Sequence, residues 1–140
     1  MDLKSLTYTS FARLDLRDDD IVAIHRAARE TNALNGVSGL LIFNGTHFLQ
    51  IIEGPTASIN ELLARLREDP RHHQLEVRDE RIVTERQFPG WSMKLIGVSS
   101  RYLEAQEAIV AGLPAGLPTH IISRILKMTQ LISGVVNLPD

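Results

Sequence analysis

The 140-residue chain sets 15 Lys and Arg against 17 Asp and Glu, a formal charge of −2, which lacks the cationic excess that phosphate backbones demand; nucleic-acid binding is not expected. With no cysteine there is no disulfide, thiolate metal site or Cys nucleophile, and no run of about 18 apolar residues offers a membrane-crossing helix. The start MDLKSLTYTS is too polar for a signal peptide, and the length fits one cytoplasmic domain burying about two-thirds of its unfolded surface.

Leu3 to Thr9 alternates, which predicts a strand with Leu6, Tyr8 and Ser10 on one face and Lys4, Thr7 and Thr9 broadly on the other. The acidic run Asp18, Asp19, Asp20 before Ile21, Ile24, Ala27 and Ala28 predicts a helix capped by an Asp and running to about Asn32. Gly36 and Gly39 lead into LLIF, apolar on both faces, which meets the hairpin signal Asn44-Gly45 and returns as HFLQIIEG. Pro55 opens a second helix, with Ile59, Leu62, Leu63 and Leu66 at helical spacing and an end near Asp69-Pro70. Strands from about Gln74 to Val83 and from about Met93 to Val98 bracket FPGW.

The resulting order, βαββαββ, is an α+β, ferredoxin-like plan with both helices on one face of the sheet, because strand–helix–strand crossovers are right-handed. LLIF and FLQII are apolar in both alternating sets, so the other face needs cover as well. The tail supplies it: a helix near Tyr102 to Val110, a hinge at Gly112, Pro114, Gly116 and Pro118, and a helix striped by Ile121, Ile125, Met128 and Ile132. Residues 1–98 are expected to form the core and 99–140 a helical cap of the same globule.

Gln50 shares its strand face with Phe48 and Ile52 under the helices, where an unpaired carboxamide costs about 1–3 kcal/mol. Tyr8 lies on the same kind of face in the first strand, and the ferredoxin-like order makes the two strands neighbours. Either the pair satisfies itself within a core, or a polar ligand sits between the helices. Asn32 reads as a helix-end cap, and Arg29 as a solvated helix residue. Asp69, Arg71 and His72 join a carboxylate, a guanidinium fork and an imidazole, suited to a ring's imide edge or to phosphate, or to an ordinary turn. The adjacent His72 and His73 point to opposite strand faces, so no metal is expected. GxSxG, GxGxxG, GxxxxGK[ST] and HExxH are all absent, and an enzyme is not expected.

In order, LTYTSFA, ARETNALNGVSGLLIF, FLQIIEGP, EDPRHH and ERQFPGWSM resemble the successive blocks of a BLUF (blue light using flavin) domain over about residues 3–98. The resemblance implies a blue-light photoreceptor holding a non-covalent flavin, FAD by preference over FMN or riboflavin, between the two helices. It implies a photoactive switch of Tyr8 and Gln50, with Trp91 and Met93 responding to it. It further makes Tyr8, Arg29, Asn32, Gln50, Asp69, Arg71 and His72 the flavin-binding set. Ala28 departs from the small hydroxyl residue that many relatives carry there. The signal is expected to pass to a separate protein partner or a homodimer equilibrium, without nucleic acid or membrane. A ferredoxin-like regulatory module binding a colourless metabolite is the alternative.

Overall fold

A computed structural model of the chain describes residues 2–13, 15–43, 46–88, 92–97, 110–113 and 115–136. The elements are β1 (Leu3–Ala12), α1 (Asp18–Leu34), β2 (Ser38–Phe43), β3 (His47–Pro55), α2 (Thr56–Glu68), β4 (His72–Val83), β5 (Ser92–Gly97) and α3 (Thr119–Val136). The sheet order is β4-β1-β3-β2-β5. The first four strands pair antiparallel, while β5 runs parallel to β2. This is the ferredoxin-like α+β plan expected from the order of elements.

The two alternating sets of the central strands separate into two cores. Leu6, Tyr8, Leu41, Phe48 and Ile52 meet Ile21 of α1 and Ile59 of α2. On the opposite face Leu40, Ile42, Leu49 and Ile51 meet Phe88 and Ile125 of α3, with Ile121 and Leu126 packed alongside. Each fully buried aliphatic side chain contributes about 1.5–3 kcal/mol, so both faces are driven shut by the same effect. The predicted tail cover is thus present in α3. Its other stripe residues, Met128 and Ile132, have side chains outside the described set, and the earlier tail helix does too except for a turn at 110–112. Asn44-Gly45 also lies outside the described residues.

Three local readings need correction. Lys4 belongs with Leu6 and Tyr8, as a strict period of two requires; its Nζ donates to Asn60 Oδ1 of α2 at 2.7 Å and pairs with Glu80. The residue that caps α1 is Arg17, in extended backbone, while Asp20 at the third helical position reaches back to accept the Arg17 N–H at 2.9 Å. The helix also continues past Asn32 to Leu34, so Asn32 stands inside its last turn, with its carbonyl accepting the N–H groups of Asn35 and Val37.

Gly39 sets the closeness of β2 and β3. Its φ is 155°, and a Cβ built there would lie 1.9 Å from the Ile51 carbonyl oxygen.

Candidate functional site

A cavity of about 240 Å³ opens between α1, α2 and the sheet, a little below the roughly 300–1,000 Å³ usual for ligand clefts. Its floor is Tyr8, Leu41, Phe48 and Gln50. Ile24, Ala27, Ala28 and Thr31 form the α1 wall at the i, i+3, i+4, i+7 positions of one helical face. The two alanines in that face leave room for a slot rather than filling it. The α2 wall repeats the device with Leu62, Arg65 and Leu66, and Asp69, Arg71 and His72 form a polar end.

Tyr8 and Gln50 are directly opposed across the β1–β3 ladder, and both are buried, at 3% and 4% exposure. The Tyr8 hydroxyl donates to Gln50 Oε1 at 2.5 Å. Burial above all, and then the negative charge of Asp69, push the Tyr8 phenol well above its ordinary range, so it stays a neutral donor. Asn32 enters the same cavity at 2% exposure, and its Nδ2 has no hydrogen-bond partner among the described residues. An amide so placed costs about 1–3 kcal/mol unless a ligand or water meets it.

At the polar end Arg71 forms a fork on Asp69, Nε at 2.9 and 3.1 Å and Nη2 at 2.6 Å, while the Arg71 N–H adds a bond of 2.9 Å. Burial on its own raises the Asp69 carboxyl, but the Arg71 bonds and charge together outweigh it and leave the group below its ordinary value. His72 shares a 2.8 Å bond with Ser10 Oγ through Nδ1. Its ring lies 6.1 Å from that of Tyr8 and 6.0 Å from that of Phe48. Burial lowers the His72 pKa, with Arg71 and His73 acting the same way against Asp69.

Burial and the neighbouring His73 lower His47 as well. Both histidines therefore resist protonation in the folded chain, while the unfolded chain takes up protons as pH falls towards the ordinary 6.5. Their contribution to stability is whole above that value and shrinks below it, because the unfolded state then binds more protons. Urea titrations between about pH 7.5 and 5.5 should show a steeper loss for the wild type than for His72→Gln, which keeps a polar partner for Ser10. Equal slopes would show that His72 titrates alike folded and unfolded.

The structure thus gathers Tyr8, Asn32, Gln50, Asp69, Arg71 and His72 around one space. Arg29 is exposed and does not line it. Trp91 lies outside the described residues. Met93 occupies the irregular step of β5 between Ser92, opposite Gly39, and Lys94, opposite Leu40. Arg65 and Thr31 were missed by sequence reading, although each stands one turn from a recognised wall residue. Among the described residues no group of His, Asp or Glu is arranged to hold a metal, and no helix is long and apolar enough to cross a membrane.

A family model described as "BLUF: Sensors of blue-light using FAD" matches residues 3–94. The blue light- and temperature-regulated antirepressor BluF of Escherichia coli (strain K12) is 34% identical over 73 residues, 52% of this chain and 18% of that protein. The photoactivated adenylate cyclase subunit beta of Euglena gracilis is 34% identical over 92 residues, 65% of this chain and 11% of that protein. The chain therefore spans less than a fifth of these curated relatives. A solved structure described as "BlrB - a BLUF protein, dark state structure" is 34% identical with a TM-score of 0.72, covering 96% of this chain and 97% of that one. Another, "BlrP1 BLUF", is 25% identical with a TM-score of 0.78, covering 94% and 90%. The matched family is described as one of blue-light sensors.

Proposed function

Because the chain belongs to the BLUF family, blue-light sensors that bind a flavin, we propose that the cavity between α1 and α2 holds the flavin ring, as FAD, and that Tyr8 and Gln50 are its photoactive pair. The observation that carries this reading is the Tyr8–Gln50 bond on the floor of a slot that also contains a buried amide without a partner among the described residues. The residues suit such a ring: apolar side chains for its faces, the Asn32 amide for an acceptor on its edge, and Arg71, with N–H donors beyond those used on Asp69, for another.

The flavin supplies light absorption and, once excited, an electron acceptor. Tyr8 holds its hydroxyl oxygen 2.5 Å from a carbonyl oxygen that can take the proton, so oxidation of the phenol and movement of its proton to Gln50 need almost no displacement of the heavy atoms. A carboxamide presents an acceptor and a donor at equivalent positions, and turning it or shifting its tautomer reverses the polarity of its bonds. Gln50 is in this way a switch that records illumination. Asn32, Asp69, Arg71 and His72 orient the ring; Arg29, at the surface, is left to any part of the ligand projecting outside. Trp91 and Met93 respond to the switch, residues 1–98 and the helical cap act as one unit, and the signal passes to a separate protein in the cytoplasm.

Absorption spectra of the purified protein in darkness, after blue illumination and during recovery test the reading. A flavin spectrum that shifts reversibly to the red supports it. A colourless protein that also refuses added FAD would transfer the assignment to a metabolite-binding regulatory module.

Asn32→Ala should weaken flavin binding about tenfold in a fluorescence titration, roughly the 1.4 kcal/mol of one hydrogen bond to a buried group. Undiminished affinity would remove Asn32 from the ring contact.

A further inference from the structure

Glu53 stands in β3 three residues beyond Gln50 and on the opposite face of the strand, by the period-two alternation. It is completely buried at 0% exposure, an expensive place for a carboxylate unless directional bonds hold it. Burial raises its pKa, and the bonds it accepts partly offset the rise. Its oxygens accept the Gln87 N–H at 3.0 and 2.9 Å and the Phe88 N–H at 2.8 Å.

The adjacent Arg86 grips the same region from the other side. Its Nη1 donates to Ser38 Oγ at 2.8 Å and to the Glu53 carbonyl at 3.0 Å, and its Nη2 to the Gly36 carbonyl at 2.6 Å. Segment 86–88 is thereby fastened to the start of β2 and to β3 at one level. Phe88 then inserts among Leu49, Ile51 and Ile125, in the core that seats α3. Apolar packing alone would seat Phe88; the bonds from the two consecutive backbone N–H groups of Gln87 and Phe88, the first shared between both carboxyl oxygens, instead fix the segment's position relative to β3.

We infer that Glu53 is a positioning residue: it locks segment 86–88 to the strand that carries Gln50, so that the hydrogen-bond state of the cavity is delivered through the sheet to the α3 face. The inference rests on the photosensor reading above. The strand is the shared element, paired on one side with β1 and on the other with β2, and Glu53 is where its far face is tied to the chain entering β5.

The test is hydrogen–deuterium exchange of the flavin-bound full chain, dark and illuminated, followed in peptides covering 86–97 and 119–127, with the spectral shift recorded on the same samples. In the wild type, light should change exchange in both peptides. Glu53→Gln keeps the shape but sets an NH2 against the Gln87 N–H. It should retain the red shift while its light–dark exchange difference in the α3 peptide falls at least fivefold. Arg86→Ala loosens the same segment without altering a buried carboxylate, and is read identically if Glu53→Gln does not fold. A variant with a normal red shift and an undiminished α3 response overturns the inference, as does a wild type that shifts without any exchange change in these peptides. A wild type without a red shift removes the photosensor reading itself, and the inference with it.

Discussion

Tyr8→Phe is expected to leave flavin bound and to lower the amplitude of the reversible red shift at least tenfold. The phenyl ring keeps the volume of the cavity floor, while the hydroxyl that donates to Gln50 Oε1 and the proton it carries are gone. The loss of one buried hydrogen bond costs about 1 kcal/mol of stability, so the folded, coloured protein survives for the measurement. Nearby groups do not replace the phenol: His72 is turned to Ser10 through Nδ1 and Asp69 is taken up by Arg71. A normal shift in the Phe variant would refute the assignment of Tyr8.

Gly39→Ala is expected to destabilise the protein by about 3 kcal/mol or more, the range reached when a side chain is forced against backbone that cannot yield. The new Cβ would sit 1.9 Å from the Ile51 carbonyl oxygen, 3.0 Å from its carbon and 3.2 Å from the Ile52 Cα. These atoms belong to β3, which is held on both edges by β1 and β2. Relief therefore means separating β2 from β3 and disturbing both cores at once. Gly116→Ala is the control: its φ of 81° also favours glycine, yet nothing lies within 4 Å of the added carbon, and the cost should stay near the ~1–2 kcal/mol of left-handed backbone. Urea unfolding of the flavin-bound proteins measures both. A Gly39→Ala loss below that of Gly116→Ala would mean that the strands part easily at this point.

Much of the fold was legible because its signals are local. The double apolar pattern of LLIF and FLQII required cover on both sheet faces, and α1, α2 and α3 provide it. The errors were local as well. Lys4 was placed on the wrong face by loosening the period of two, and the cap of α1 was assigned to an Asp, whereas Arg17 holds that position and Asp20 is its reciprocal partner. Arg65 went unread because a charged residue on an apolar helix stripe looks like solvent-facing decoration until the opposite wall is known.

Alternation and spacing along the chain were enough to determine that Tyr8 and Gln50 would face the helices from neighbouring strands, since both follow from backbone periodicity and from the handedness of crossovers. Tertiary structure alone decided that they stand directly opposite each other, that the Asn32 amide arrives with no partner among the described residues and that Glu53 accepts backbone groups more than thirty residues away. Such facts depend on strand register and on where a loop returns. Those are chosen by the packing of the whole chain, and no short stretch of sequence contains that information.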